Sequence, residues 1–159
     1  MRAAVLTVSD GVARGERADE SGALLEELLV AEGYEVVRRV VADERSEIAE
    51  AIEELSDEAP LVLTTGGTGV ALRDVTPEAT ASVLERQVPG ISEAVRADSA
   101  RRTPHGLLSR GVAGVRGQSL VVNLPGSPGG CRDGFAVLQP ALTHALSLLA
   151  GAQGGHRQT

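Results

Sequence analysis

Glycine dominates the stretch of this chain richest in groups that could do chemistry, Thr64-Thr65-Gly66-Gly67-Thr68-Gly69. Without Cβ atoms a backbone can approach an anion closely, and successive amides can form a nest around it. Thr65 and Thr68 add hydroxyl donors. A plainer reading is a tight turn that uses glycine for its dihedrals alone, and spacing does not separate the two. The lysine of a P-loop and the G-x-G-x-x-G of a dinucleotide site are both missing. Asp43 and Asp74 each closely follow a predicted strand or its turn. Two carboxylates on one rim could hold Mg²⁺, which favours one or two carboxylates together with substrate phosphates. Singly, Asp43 also reads as a helix N-cap and Asp74 as a cap or a charge opposing a helix dipole.

Three further places complete the set. Ser9-Asp10-Gly11 ends the first apolar run. Leu124-Pro125-Gly126-Ser127-Pro128 ends the last one, with Ser127 as an N-cap and Pro128 at the first helical position. Such a helix start presents free amides to an anion, though it can equally be only a helix start. Ser109-Arg110 offers a hydroxyl and a guanidinium to phosphate or carboxylate. His105, His144 and His156 have no metal-ligand spacing, and Cys131 has no histidine near it in sequence to make it a nucleophile.

The elements that must position these groups follow from periodicity. Apolar strand-like runs alternate with helix-period segments, which predicts an α/β fold with a largely parallel sheet covered by helices. Ala3 to Val8 is the first strand, and a polar connection, Val12 to Asp19, leads to a helix with Leu24, Leu25, Leu28 and Leu29 on one face. Gly33 stops it, and Tyr34 to Val41 follows as a strand. Ile48, Ala51, Ile52 and Leu55 recur at i, i+3, i+4 and i+7, a helical stripe. Leu61 to Thr64 is a short buried strand. Thr76-Pro77-Glu78 reads as an N-cap followed by proline at the first helical position. Ile91, Ala94 and Val95 mark another helix, broken at Thr103-Pro104-His105-Gly106. Gly111 to Val115 and Ser119 to Asn123 could pair as a hairpin around Arg116-Gly117-Gln118. Phe135, Leu138, Leu142, Ala145, Leu146 and Leu149 line a last helix. One domain over 1–150 is expected, with a disordered Gly/Gln-rich tail over 151–159.

Composition narrows the partners. A net charge of −7 disfavours nucleic acid, which wants a basic surface. Tyr34 and Phe135 are the sole Tyr and Phe and there is no Trp, so base stacking on aromatics is nearly excluded. All 15 basic residues are Arg, so a catalytic lysine is excluded and phosphate charge must meet Arg, backbone amides or a metal. A single cysteine forms no internal disulfide and fits a reducing compartment. Neither a charged-then-apolar leader nor a membrane-length apolar run is present, so a cytoplasmic protein with no membrane partner is expected.

The string from Thr64 to Gly69 followed by Arg73-Asp74-Val75-Thr76-Pro77-Glu78-Ala79 resembles the molybdenum-cofactor biosynthesis family of the MogA/MoaB type. The resemblance runs from Val5-Leu6-Thr7-Val8-Ser9-Asp10 through Leu108-Ser109-Arg110 to Asn123-Leu124-Pro125-Gly126-Ser127-Pro128. Molybdopterin-binding domains of the molybdenum-insertion enzyme and the competence-damage-inducible protein differ around the aspartate, which favours the adenylyltransferase-type branch. The resemblance implies a three-layer αβα sandwich of the molybdopterin-binding type, commonly a homotrimer or hexamer. It implies Mg²⁺-dependent transfer of AMP from ATP to the terminal phosphate of molybdopterin, with release of pyrophosphate. Asp43 and Asp74 would then be the catalytic acids and the Mg²⁺ ligands. Ser9, Asp10, Thr65, Gly66, Gly67, Thr68, Gly69, Ser109, Arg110, Pro125, Gly126 and Ser127 would hold substrate. Arg73 or Arg110 would meet phosphate charge that lysine cannot. The molybdenum-insertion enzyme is a further expected partner. A non-catalytic molybdopterin carrier and an oligomeric scaffold are the alternatives.

Overall fold

The structure is a computed structural model that describes residues 1–151. The disordered tail expected over 151–159 therefore falls, apart from Gly151, outside the described residues. The strands are β1 (Arg2–Val8), β2 (Glu35–Val41), β3 (Leu61–Thr65), β4 (Arg86–Gln87), β5 (Ala113–Arg116) and β6 (Ser119–Leu124). The helices are α1 (Asp10–Ala13), α2 (Glu20–Ala31), α3 (Arg45–Glu58), α4 (Thr76–Val83), α5 (Pro89–Arg102) and α6 (Pro128–Leu149), with a 3-10 turn over Pro104–Leu108.

The six strands form one sheet in the order β2-β1-β3-β6-β5-β4. The four strands from β2 to β6 run parallel, so their carboxyl ends share one rim. The β5–β6 pair is the expected antiparallel hairpin, and β4 extends that edge. Alternate residues of the strands feed two cores. On one face Ala3, Val5, Leu61, Leu63 and Val122 pack with Leu25 and Leu29 of α2 and with Phe135, Leu138, Leu142 and Leu146 of α6. On the other, Ala4, Leu6, Val62 and Val121 meet Ile48, Ala51, Ile52 and Leu55 of α3 and Ala79 of α4. Three layers follow from that alternation, as expected.

One buried polar knot joins the layers near the rim. Asn123 Nδ2 donates to Thr64 Oγ1 at 2.9 Å and to Thr80 Oγ1 at 3.0 Å, while its Oδ1 accepts the Val112 amide at 3.1 Å. Each polar side chain of this knot has a partner, which favours one arrangement of β3, β6 and α4 over others.

Two details depart from the expected elements. Thr76 is not the N-cap of α4: Val75 occupies that place, and the Thr76 hydroxyl donates backwards to the Gly66 carbonyl at 2.9 Å. Asp43 does not cap α3 either, because Glu44 is its N-cap and makes no side-chain cap bond. The plainer cap role set against a site reading at Asp43 is thus not the one it plays.

Candidate functional site

Each parallel strand delivers a different group to the shared rim. After β1 the chain turns at once into α1, with Ser9 accepting the Val12 amide at 3.2 Å as N-cap. Asp43 follows β2, the glycine turn follows β3, and Pro125-Gly126-Ser127 follow β6. Ser127 is the N-cap of α6, accepting the Gly130 amide at 3.0 Å, with Pro128 next to it as expected.

The acids at the ends of β1 and β2 hold each other through the backbone. The Asp10 amide donates to Asp43 Oδ2 at 2.9 Å, and the Asp43 amide donates to Asp10 Oδ1 at 3.0 Å. Arg73 reaches across from the loop after β3, donating from Nε to Asp10 Oδ2 at 2.6 Å and from Nη2 to Glu44 Oε1 at 2.9 Å. The two carboxyls are shifted in opposite directions. The Arg73 guanidinium, with the Asp43 amide, holds the Asp10 carboxyl down to about 2. Burial pushes the Asp43 carboxyl up, and the Asp10 and Asp74 charges push the same way against the hydrogen bond from the Asp10 amide. Asp10 is therefore bracketed by Arg73, while on balance the surroundings of Asp43 disfavour its charged form.

The glycine turn is crowded as well as strained. Gly66 and Gly67 have φ of +98° and +68°, a region that side chains rarely adopt. A Cβ on Gly66 would also lie well inside 3.0 Å of the Val8 carbonyl oxygen. One on Gly67 would press on Thr76 Oγ1 and stand 3.2 Å from Asp43 Oδ1. Gly126 lies on the turn from the other side, where a Cβ would be 3.2 Å from Gly66 Cα. Strand ends far apart in sequence thus converge within a few ångströms.

Beyond the turn the loop is stapled down. The Arg110 amide donates to the Thr68 carbonyl at 2.8 Å, its Nε to the Gly69 carbonyl at 2.7 Å and its Nη2 to the Asp74 carbonyl at 2.7 Å. Arg110 Nη1 pairs with Glu78. Asp74 Oδ2 accepts the Ala71 amide at 2.9 Å, closing the loop on itself.

Two cavities of about 450 and 500 Å³ open on either side of this arrangement. They share Gly67, Asp74 and Gly126 as a common wall, so the whole is a cleft with two lobes. Ser9, Asp43, Thr65 and Gly66 line the first lobe. Thr68, Gly69, Ser109, Pro125 and Ser127 line the second. Asp10 and Arg110, expected at the substrate, line neither lobe and instead hold its walls. The Thr65 hydroxyl is spent on the Pro125 carbonyl at 2.7 Å, which ties the two loops together.

Groups that sequence reasoning passed over also face the first lobe, among them Val12, Arg17 and Asp19. Asp19 carried a signal, since it caps α2 by accepting the Gly22 amide at 3.0 Å, three residues on. Gly22 makes room for it: a Cβ there would strike the Asp19 carboxylate and the Thr7 hydroxyl. Nothing in the spacing marks Arg17. Cys131 is fully buried, and burial pushes its thiol up to about 11, so it stays protonated and is not the nucleophile of a reaction here. His105 borders the second lobe, and His144 lies exposed on α6.

Among the described residues no group of three or more His, Cys, Asp and Glu side chains could hold a metal by itself. Asp43 and Asp74 both line the first lobe and could hold a Mg²⁺ that arrives with phosphate oxygens and keeps several waters. The raised Asp43 carboxyl is what a cation there would relieve.

No helix among the described residues is long and apolar enough to cross a membrane. The model of a family described as "Probable molybdopterin binding domain" matches residues 4–144. The chain is 40% identical over 152 residues to a molybdopterin adenylyltransferase of Helicobacter pylori, covering 92% of this chain and 86% of that one. It is 41% identical to the molybdopterin adenylyltransferase of Escherichia coli K12, covering 80% of this chain and 68% of that one. The crystal structure of the molybdopterin biosynthesis enzyme MoaB from Thermus thermophilus superposes with a TM-score of 0.88 at 47% identity, covering 94% of this chain and 96% of that one. With its sheet, cleft and glycine turn in place, the chain belongs to the molybdopterin-binding domain family of molybdenum cofactor biosynthesis proteins.

Proposed function

We propose that the protein adenylylates molybdopterin: the terminal phosphate of the pterin displaces pyrophosphate from ATP and takes the AMP. The observation that carries this reading is the pair of lobes divided by one wall of Gly67, Asp74 and Gly126. Two phosphorylated substrates, one per lobe, would meet at that wall, where one phosphate oxygen bonds to the α-phosphorus as the bond to the leaving pyrophosphate breaks. Such a transfer asks the protein for alignment and charge control rather than for a nucleophile of its own. This chain is equipped accordingly, with glycine-turn amides for oxyanions and Asp74 between the two sites.

Asp43 and Asp74 would hold Mg²⁺, which would offset the charge gathering on the departing pyrophosphate. Arg73 keeps Asp10 off the metal by pairing with it and leaves the cleft charge to Asp43. A cytoplasmic setting suits the lone buried thiol of Cys131. A homotrimer or hexamer would cover part of the exposed apolar surface, including Val70, Leu72 and Leu107. The adenylylated product would pass to a molybdenum-insertion enzyme.

Incubation with molybdopterin and Mg-ATP, followed by detection of adenylylated pterin and pyrophosphate, tests the reading. Product is expected, should disappear with a chelator and should return with added Mg²⁺. Asp74→Asn should lower transfer on the order of 10²-fold while the protein still folds. Tight molybdopterin binding with no pyrophosphate released would make the protein a carrier instead.

A further inference from the structure

We infer that Arg17 is the side chain that grips a substrate phosphate in the first lobe of the cleft. The inference rests on adenylyl transfer only for which molecule owns that phosphate.

Elimination among fixed partners singles it out. The chain has no lysine, so only guanidinium can supply a positive side chain at neutral pH. Among the described residues two arginines line the cleft, Arg17 in the first lobe and Arg102 in the second. Arg102 is already spent on Asp98 at 2.9 Å and Asp133 at 3.5 Å. Around the first lobe, Arg73 is held by Asp10 and Glu44, and Arg38 by Asp19 and Glu26. Arg17 differs from all of these. Among the described residues it has no carboxylate within ion-pair distance, and its hydrogen-bond partner is a neutral oxygen, Ser9 Oγ, at 3.1 Å.

Its position is nonetheless built. The amides of Glu16 and Arg17 both fold back onto the Gly11 carbonyl, at 2.9 and 3.3 Å. The side chain then lies across Gly11, where a Cβ would stand 3.0 Å from Arg17 Nε. Ser9 Oγ receives both Arg17 Nη2 and the Val12 amide, which occupies its two lone-pair directions. Its own proton is left to donate, and Ser9 is itself buried at the lobe wall. A hydroxyl donor beside a guanidinium that no carboxylate balances is a pair suited to phosphate oxygens. The need for it is plain, because Asp43 and Asp74 border the same lobe and would repel an anion that met no positive charge.

The test compares the wild type with Arg17→Gln and Arg17→Lys by equilibrium titration with ATP, with inorganic pyrophosphate and with molybdopterin, alongside melting curves. Arg17→Gln should weaken at least one of the three on the order of tenfold with no change in melting temperature, and Arg17→Lys should recover part of the loss. Weakened ATP and pyrophosphate assigns the site to the nucleotide, and weakened molybdopterin alone assigns it to the pterin phosphate. In turnover the effect should fall on KM more than on kcat. Unchanged affinity for all three ligands overturns the inference. So does a loss that comes with a lower melting temperature and that lysine does not rescue, since that marks a loop-holding role. Failure of the adenylyl-transfer reading looks different: the wild type would form no adenylylated product, whatever Arg17→Gln does to pyrophosphate binding.

Discussion

Two turns of this molecule both place glycine at positive φ and differ in what surrounds it. Gly117, between β5 and β6, has φ of +58°, and nothing lies within 4 Å of where a Cβ would be. It answers a backbone requirement and no more. Gly66 and Gly67 answer the same requirement and are also hemmed in by Val8, Asp43, Thr76 and Gly126. Crowding by residues from three other strand ends is therefore what distinguishes the turn at the cleft. The dihedral alone would make any tight turn a candidate site.

The comparison breaks first at Gly66→Ala. The added methyl would run into the Val8 carbonyl, main chain that cannot step aside, so a loss of about 3 kcal/mol or more is expected. Urea denaturation measures it, and a wild-type midpoint would show that crowding does not hold the turn. Next comes Asp43→Asn, which keeps an oxygen for the Asp10 amide but removes the charge. Transfer should fall on the order of 10²-fold, with stability at neutral pH equal to or above wild type. The sign follows from linkage. The Asp43 carboxyl is raised from 3.8, so its contribution to stability is fully present below pH 3.8 and is lost as pH rises through its higher folded value. Asp10, held at about 2, works the other way: its contribution is present above pH 3.8 and lost as pH falls through about 2. A melting temperature of Asp43→Asn that depends on pH between 4 and 7 as steeply as wild type would remove the charge argument.

Smaller effects sharpen the picture. Gly67→Ala should cost about 2 kcal/mol, and part of that should vanish in a Thr76→Ala background, which deletes the hydroxyl it meets. Strict additivity of the two changes in a double-mutant cycle would mean the strain is in φ alone. Gly117→Ala should cost only about 1 kcal/mol, the price of a left-handed alanine in open space, with transfer unaltered.

How much of this could be read from residue order depends on the distance over which each feature is decided. The strands and the helical stripes are local patterns of apolar residues, so Ala3 to Val8, Leu61 to Thr64 and the Ile48 to Leu55 face appear where they are expected. That the ends of β1, β2, β3 and β6 share a rim follows once the strands are parallel. Short elements leave no period: α1 has four residues and β4 two, and neither is legible in the sequence. Pairings across the chain are invisible in principle. Arg73 and Asp10 are 63 positions apart, and no spacing rule announces that one will neutralise the other. The same reason hides Arg17, whose significance lies in having, among the described residues, no carboxylate within ion-pair distance. Thr76 sits inside the helix it is expected to cap, because its hydroxyl is drawn to a carbonyl ten residues back rather than to its own helix.

The loop from Thr68 to Asp74, with Arg110 bonded to carbonyls at both of its ends, has a consequence for timing. A lid must wait for the segment to order, and each encounter that arrives before closure is wasted. Here bonds within the chain itself hold the Asp74 part of the shared wall, so little ordering entropy should be withheld from the first encounter. Capture should then follow the rate of diffusion, slowing in proportion as solvent viscosity is raised, and the unhurried part of the cycle should be the escape of product.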